Sequence, residues 1–165
     1  MKIIGICGWA TSGKDTAADF VEQHLDGVLR YSMATPVKEV AKHYFDWDGK
    51  KDLRGRQLLI DVGMAGRRYD PNVWLRAAER HRYIWQHKYN YMVIPDIRFE
   101  NEADWVSQNG ILIRVYREGV QQIDHVSEKE LDDYLTRYVI QNNGTKEDLS
   151  KEVELTLQEA MCITL

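Results

Sequence analysis

Short apolar runs alternate along the chain with longer stretches in which apolar residues recur about every three to four positions. The short runs are typical of buried strands, and the longer spacing is typical of amphipathic helices. The pattern predicts strands at residues 2–7, 27–32, 91–96, 111–117 and 137–141, and helices at residues 13–25, 35–45, 54–64, 70–87, 100–109, 127–135 and 145–161. Strands that alternate with helices favour a three-layer α/β fold, in which a parallel sheet carries helices on both faces.

Residues with known preferences at helix ends mark several boundaries. Thr35 is predicted to cap one helix, with Pro36 at its first helical position. Asp70–Pro71 is predicted to open a later helix, and Thr145 to cap the last one. Because glycine often follows the end of a helix, Gly63 is predicted to end the helix that precedes Asp70.

Length, charge and cysteine content narrow the class of protein. A chain of 165 residues predicts one domain, and a net charge of −4 argues against a protein that forms a stable complex with nucleic acid. No apolar run approaches the roughly 20 residues of a membrane span, and no signal-peptide pattern is found at the start of the sequence. Cys7 and Cys162 lie far apart, which favours free thiols in a cytoplasmic protein.

The motif with the clearest chemistry is GWATSGK at residues 8–14, between the first predicted strand and a helix. This is the context of the P-loop, G-x-x-x-x-G-K. Glycines let several backbone N–H groups converge on one anion, and the start of the helix adds its positive dipole end. The candidate ATP-binding residues are Gly8, Thr11, Ser12, Gly13 and Lys14. The alternative is a tight turn that carries a surface lysine.

Asp15 departs from the P-loop pattern, which has Ser or Thr directly after the lysine to reach Mg²⁺. In one interpretation Asp15 holds the magnesium ion, since a carboxylate suits this cation. In the other, Thr16 faces the phosphates and Asp15 interacts only with the dipole of its helix. Both residues are therefore candidates for the ATP site, and Asp15 is a candidate metal ligand.

A second group of candidates follows the predicted strand at residues 91–96. Asp96 lies where an acidic residue of a neighbouring parallel strand can support Mg²⁺, with a helix cap or turn carboxylate as the alternative. Arg98 can bind phosphate oxygens through its planar guanidinium group. Glu102 is a candidate substrate contact, or else a carboxylate that favours the start of the next helix.

Basic residues upstream of this strand are candidates for an acceptor that itself carries a phosphate: Lys38, Arg54, Arg56, Arg67, Arg68 and Arg76. The segment at about residues 46–72 is the least strand-like and is predicted to be a small acceptor-binding insert in the single domain of residues 1–165. Trp74 lies at helical spacing, which favours a place in the core over a platform for base stacking.

These motifs in this order resemble the phage-type deoxynucleoside monophosphate kinases. The resemblance rests on the strings GWATSGKDTAADF, MATPVKE, RQLLIDVG, VIPDIRFENE, HVSE and VIQNNG, which span residue 3 to about residue 150. It implies a P-loop kinase fold with a five-stranded parallel sheet. It also implies transfer of the γ-phosphoryl group of ATP to a deoxynucleoside 5′-monophosphate, with Mg²⁺ as cofactor and these small molecules as partners. A homodimer is left open, and a phage-encoded member would act in the host cytoplasm.

The resemblance also implies roles for particular residues. Asp96 and Arg98 would belong to the reaction centre, and Lys38, Arg56 and Trp74 would lie at the acceptor. Taken with the residue chemistry above, the candidate catalytic residues are Lys14, Asp96 and Arg98, with Asp96 also a candidate metal ligand. The candidate acceptor residues are Lys38, Arg56, Arg67, Trp74, Arg98 and Glu102. Asn142 and Gly144 would flank the adenine of ATP. A short lid at about residues 117–128 contains His125 and Arg117, and Arg117 is the better candidate for contact with the ATP phosphates.

Two departures from the family leave the acceptor open. Ala10 and Thr11 stand where family members often have basic residues, and the region at residues 46–55 lacks the insertion of some members. The alternatives are a kinase of another small acceptor, similar to dephospho-coenzyme A or phosphomevalonate, and a kinase of a modified base in DNA. A module that binds ATP without turnover is the non-enzymatic alternative.

Overall fold

Strands and helices alternate in the protein much as the hydrophobic pattern predicts. A computed structural model describes residues 1–120 and 130–162. Its elements in chain order are β1 (Lys2–Cys7), α1 (Lys14–His24), β2 (Val28–Arg30), α2 (Thr35–Phe45), α3 (Leu53–Tyr69), α4 (Val73–Trp85), β3 (Tyr91–Ile94), α5 (Glu100–Asn109), β4 (Gly110–Tyr116), β5 (Tyr138–Gln141) and α6 (Lys146–Cys162).

The five described strands form one sheet in the order β2-β3-β1-β4-β5, and every neighbouring pair is parallel. In the centre, Ile4 of β1 lies opposite Val93 of β3 on one side and Ile111 of β4 on the other. The prediction of a five-stranded parallel sheet is therefore confirmed. In such a sheet all strands end at the same edge, and ligands bind in the crevice beyond those ends.

The side chains of β1 alternate between two covered faces of the sheet. Ile4 and Ile6 belong to a buried cluster with residues of two helices. Helix α1 contributes Ala17, Ala18 and Val21, and helix α6 contributes Leu149, Val153 and Leu157. On the opposite face Gly5 lies against α5, because a Cβ atom at Gly5 would lie 2.7 Å from Cγ1 of Val106. Helices therefore cover both faces of the sheet, as predicted for the three-layer fold.

The chain divides into two compact units. Met1–Arg30 together with Gln86–Leu165 form the first unit, which contains the sheet, α1, α5 and α6. Tyr31–Trp85 form the second unit, which contains α2, α3 and α4. The segment predicted as an acceptor-binding insert, residues 46–72, belongs to this second unit.

The predicted end of a helix at Gly63 is wrong, because α3 continues to Tyr69. The indole ring of Trp74 packs on α3 at Gly66, and its N–H reaches the backbone of Gly63. The indole N–H of Trp74 donates to the Gly63 carbonyl at 3.0 Å. A Cβ at Gly66 would lie 2.4 Å from Cζ2 of Trp74, so only glycine allows this approach. The two glycines therefore mark a helix contact inside the second unit.

Two predicted helix starts are also corrected. Asp70–Pro71 does not lie in the next helix, which begins at Val73. The Asp70 side chain accepts the N–H of Asn72 at 2.9 Å, and the Asp70 carbonyl accepts the N–H of Val73 at 3.0 Å, so these residues form a turn. Thr35 is itself the first residue of α2, with Ala34 as the flanking residue.

Capping of α6 by Thr145 is confirmed. The Thr145 hydroxyl accepts the N–H of Asp148 at 3.2 Å, and the Asp148 carboxylate accepts the N–H of Thr145 at 2.9 Å. The helix predicted at residues 127–135 is not present at residues 130–135, where the chain forms turns and irregular structure. Residues 127–129 lie outside the described ranges.

A substitution at Gly5 tests the close approach of β1 and α5. Gly5→Ala adds a methyl group against Val106 and Ile97, so it is expected to lower the free energy of unfolding by about 1–3 kcal/mol. The control is Gly63→Ala in α3, where the nearest atom to the new methyl group is Cγ1 of Val37 at 4.0 Å. This variant should gain up to about 1 kcal/mol from helix propensity. Urea unfolding measures the free energy of unfolding of both variants. Equal stability of Gly5→Ala and wild type would contradict the close contact between Gly5 and Val106.

Candidate active site

The loop between β1 and α1 has the backbone geometry of an anion-binding turn. Gly8 and Gly13 have φ angles of 136° and 104°, and Thr11 has a φ of 64°. A Cβ at Gly8 would lie 2.2 Å from the Val115 carbonyl oxygen, so a side chain has no room there. Left-handed residues of this kind turn successive N–H groups towards one concave side. We call residues 8–14 the P-loop from here on.

The Lys14 side chain lies across the P-loop. Its ammonium group donates to the carbonyl oxygens of Gly8 at 2.7 Å and Trp9 at 2.5 Å, and the residue is 9% exposed. Lys14 is the first residue of α1, and its side chain turns back so that the ammonium group lies in the loop. This placement brings a cation to the positive end of α1, where a bound anion would be attracted by both.

Ser12 is buried in the same loop with an unsatisfied hydroxyl group. The residue is 1% exposed, and its Oγ has no hydrogen-bond partner among the described residues. A buried hydroxyl group without a partner is costly, so such a group in a native protein calls for an explanation. An oxygen of a bound anion would accept a hydrogen bond from it.

Asn142, which follows β5, braces the P-loop. Its side-chain amide donates to the Ser12 carbonyl at 2.8 Å, and its backbone N–H donates to the Tyr116 carbonyl at 2.7 Å. A Cβ at Gly13 would lie 2.3 Å from the same amide nitrogen, so this contact also requires a glycine in the loop. The sequence analysis predicted that Asn142 lies beside adenine. It did not predict the contact of Asn142 with Ser12, because no motif links two residues so far apart in the sequence.

Trp9 forms another contact that the sequence did not indicate. Its indole N–H donates to a carboxylate oxygen of Asp132 at 2.8 Å, and its ring lies 6.2 Å from that of Tyr116. The segment that holds Asp132 is fixed in turn by Arg114 of β4, whose guanidinium group donates to the carbonyls of Leu131 at 2.5 Å and Tyr134 at 2.9 Å. The P-loop is thereby connected to the chain just before β5.

Asp15 lies in the first turn of α1, and its carboxylate is paired with Arg30. The Arg30 guanidinium donates to Asp15 Oδ1 at 2.9 Å, and the Asp15 side chain is 86% exposed. This contact was not predicted, because Arg30 carried no motif. Thr16 follows in the same turn and is half-buried.

The loop after β3 lies beside the start of the P-loop. The N–H of Ile97 donates to the Ile6 carbonyl at 3.2 Å, which ties this loop to the end of β1. Asp96 and Arg98, on either side of Ile97, are both half-buried. The P-loop and the Asp96–Arg98 pair therefore lie at the same edge of the sheet. Both groups of predicted site residues belong to the first unit.

Glu102 fixes the backbone of this second loop. It is fully buried, and its carboxylate accepts the N–H groups of Arg98 at 3.0 Å and Phe99 at 3.3 Å. A buried carboxylate is stable when backbone donors satisfy it. The structure favours the helix-start interpretation of Glu102, and a glutamate at the third position of a helix is the signal that indicates it.

Cys7, at the end of β1, is a free thiol, as the sequence predicted. Burial raises the pKa of its thiol, although the charges of Arg114 and Lys14 act in the opposite direction. Cys7 therefore stays protonated near neutral pH and is unsuited to act as a nucleophile beside the loop.

The remaining ATP-site candidates lie at the ends of β4 and β5. Arg117 is exposed directly after β4. Gly144 precedes the cap of α6, where a Cβ would lie 2.6 Å from the Asp148 carboxylate. Most of the predicted lid, residues 121–128 with His125, lies outside the described ranges.

The second unit holds the other acceptor candidates. Lys38 on α2 and Arg67 in the last turn of α3 are half-buried, while Arg56 is exposed and donates through Nε to the Lys51 carbonyl at 2.8 Å. Trp74 is 7% exposed and packs on α3. Trp74 also lines an open groove of about 370 Å³ between α2 and α4.

No helix in the described part of the chain combines the length and the apolar character that crossing a membrane requires.

The comparisons with known proteins agree with this geometry. Residues 61–153, more than half of the chain, match the family model described as deoxynucleotide monophosphate kinase. A protein of Acanthamoeba polyphaga mimivirus, which bears that same name provisionally, is 28% identical over 93% of this chain and 94% of its own length.

Solved structures with the same fold include two kinases at low sequence identity. Shikimate kinase from Aquifex aeolicus is 15% identical and matches with a TM-score of 0.53 over 97% of this chain and 98% of its own. A sugar kinase from a Janibacter species is 12% identical, with a TM-score of 0.55 over 99% and 98% of the two chains. The chain therefore has the fold of the P-loop kinases, and it belongs to the deoxynucleotide monophosphate kinase family of phosphotransferases.

Proposed function

We propose that the protein transfers the γ-phosphoryl group of ATP to a deoxynucleoside 5′-monophosphate, giving the diphosphate and ADP. The observation that carries the proposal is the pair of groups inside the P-loop, the folded-back ammonium of Lys14 and the orphaned hydroxyl of Ser12. Both suit phosphate oxygens, and the family to which the chain belongs acts on deoxynucleotide monophosphates.

On the donor side, the P-loop backbone and Lys14 would bind the β- and γ-phosphates. Gly8, Thr11 and Gly13 shape the loop, Ser12 and Thr16 offer hydroxyl groups, and Lys14 supplies the charge. Its present hydrogen bonds go to loop carbonyls, which keep the ammonium inside the loop until phosphate oxygens replace them. Arg117 and Gly144 remain candidates for the outer phosphates and the adenine.

The residues present fit a magnesium ion. Mg²⁺ in kinases is usually held by one or two carboxylates together with phosphate oxygens and waters, so a cluster of protein ligands is not needed. Asp96 is half-buried beyond β3, the strand that pairs with the P-loop strand, and is the proposed ligand because it lies at the crevice of the parallel sheet. Asp15, which is paired with Arg30, is the alternative ligand. When bound, the ion would neutralise charge on the transferring phosphoryl group.

Arg98 is the proposed catalytic cation for the transferring group. Its backbone N–H is fixed by Glu102, and it follows Asp96 at the edge of the sheet where the P-loop begins. Negative charge spreads over the equatorial oxygens during the transfer, so a guanidinium group held at that point would stabilise the transition state more than the bound substrate.

On the acceptor side, the monophosphate needs positive charge of its own. Lys38, Arg56 and Arg67 of the second unit are the proposed partners of this phosphate, with Trp74 as a candidate neighbour of the base. The small acidic protein offers these cations locally, which suits a small anion better than a polymer. A cytoplasmic location and a homodimer stay predictions from the sequence.

A panel of acceptors tests the proposed function. The protein is incubated with ATP labelled at the γ-phosphate and with each deoxynucleoside monophosphate, each ribonucleoside monophosphate, dephospho-coenzyme A and phosphomevalonate. Labelled dNDP is the expected product. Transfer only to a different acceptor, or ATP binding without transfer to any of them, would contradict the proposal.

Removal of the P-loop cation should abolish transfer and leave the fold intact. In Lys14→Ala the charge on the β- and γ-phosphates is no longer balanced, so kcat is expected to fall by about a hundredfold or more. Circular dichroism and the melting temperature serve as the folding control. A Lys14→Ala protein with turnover near that of wild type would show that the P-loop assignment is wrong.

Substitutions at Arg98 and Glu102 separate catalysis from folding. Arg98→Lys keeps the charge and loses the planar fork, so kcat should fall by roughly tenfold to a thousandfold with a smaller change in ATP affinity. Glu102→Gln keeps the shape of a buried side chain that accepts two backbone N–H groups, so it should mainly lower the melting temperature. An unchanged kcat in Arg98→Lys would rule out the catalytic role.

A further inference from the structure

Arg30, the last residue of β2, binds three carboxylates on one face of α1. One arm of its guanidinium group donates to Asp15 Oδ1 at 2.9 Å, and more weakly to the Asp15 carbonyl at 3.4 Å. The other arm donates to Asp19, and to Glu22 at 3.1 Å. The three acidic residues recur at the spacing of one helix face, so a single arginine from the neighbouring strand reaches all of them.

The first of these carboxylates has an unusual position. Asp15 directly follows Lys14 in the first turn of α1, at the positive end of the helix dipole. A carboxylate there stabilises the helix start, but it competes with a phosphate group for the same positive field. Without compensation, Asp15 would repel the triphosphate of ATP at the place where the P-loop has to attract it.

We propose that Arg30 is a positioning residue for ATP, because it neutralises the Asp15 carboxylate and holds it towards β2, away from the phosphates at the P-loop. This inference rests on the proposed function and adds to it a residue outside every motif. The aspartate after the P-loop lysine is then tolerated because it is paired with an arginine from the edge strand.

The two other carboxylates fix the direction of the Arg30 side chain. Asp19 and Glu22 lie one and two turns further along α1 and occupy the second arm of the guanidinium group, while the first arm faces Asp15. Arg30 is one-third exposed, whereas the Asp15 side chain is almost fully exposed. A planar fork with two arms lets one arginine contact all three carboxylates at once, while its positive charge is what offsets the charge of Asp15.

A purely structural ion network is the competing interpretation, and the two make different predictions. Exposed ion pairs contribute little to stability, so a structural role would lower the melting temperature slightly and leave ATP binding alone. A positioning role predicts that replacement of Arg30 weakens ATP binding. It also predicts that the loss of affinity disappears when Asp15 carries no charge.

The test is a double-mutant cycle read out by ATP binding without acceptor. We expect Arg30→Gln to raise the dissociation constant of ATP by about fivefold to tenfold at about 50 mM salt, through unscreened repulsion from Asp15. When Asp15→Asn is already present, the same Arg30→Gln change should raise it less than about twofold. At about 0.5 M salt the effect of Arg30→Gln should shrink, because added ions screen the exposed charge.

Two further variants keep the test specific. Arg137→Gln removes another surface arginine of the same unit, whose contact with Glu159 is long at 4.0 Å, and should leave ATP binding unchanged. Arg30→Lys keeps the charge, so it should lose much less affinity for ATP than Arg30→Gln.

The outcomes separate this inference from the function on which it rests. Unchanged ATP affinity in Arg30→Gln, or an equal loss with Asp15 and with asparagine at that position, would overturn the role of Arg30 while ATP binding by the wild type still stands. Failure of the wild-type protein to bind ATP would overturn the proposed function and this inference together.

Discussion

The central position of β1 is the constraint on which the candidate site depends. β1 pairs in parallel with β3 on one side and with β4 on the other, and its side chains are buried on both faces. Because parallel strands end at the same edge, the loop after β1 emerges beside the loop after β3. The hydrogen bond from Ile97 to Ile6 joins the two loops at that point. The hydrophobic burial of β1 thus fixes the position of the P-loop and of the loop that contains Asp96 and Arg98.

The P-loop that emerges there is held from several directions. The Asn142 amide supports it from the end of β5, Val115 of β4 lies against Gly8, and the Trp9 indole is bonded to Asp132. Each contact fixes backbone that would otherwise have to be ordered when a ligand binds. Hydrogen-bond donors that are already in place stabilise developing charge without a free-energy cost of reorganisation. This electrostatic stabilisation is the main contribution of a protein to phosphoryl transfer.

Charge in the site is balanced by pairs and by backbone donors. Glu102 is fully buried and satisfied by two N–H groups, so it orders the backbone of Arg98. Asp15 is paired with Arg30 from β2, and the Lys14 ammonium donates to two carbonyls of the P-loop. A protein with net negative charge can in this way present a local cationic site for small anions.

The sequence by itself determined the strands, most helices, the P-loop and the place of Asp96 and Arg98 after β3. These features depend on hydrophobic periodicity and turn chemistry, which neighbouring residues specify. Only the tertiary structure decided that Asn142 braces the P-loop from 130 positions away, and that Arg30 pairs with Asp15. It also showed that α3 continues through Gly63 to Tyr69, and that the Gly63 carbonyl accepts the indole N–H of Trp74. Contacts between distant residues follow from how the elements pack, and the pattern of a single chain carries no local signal for them.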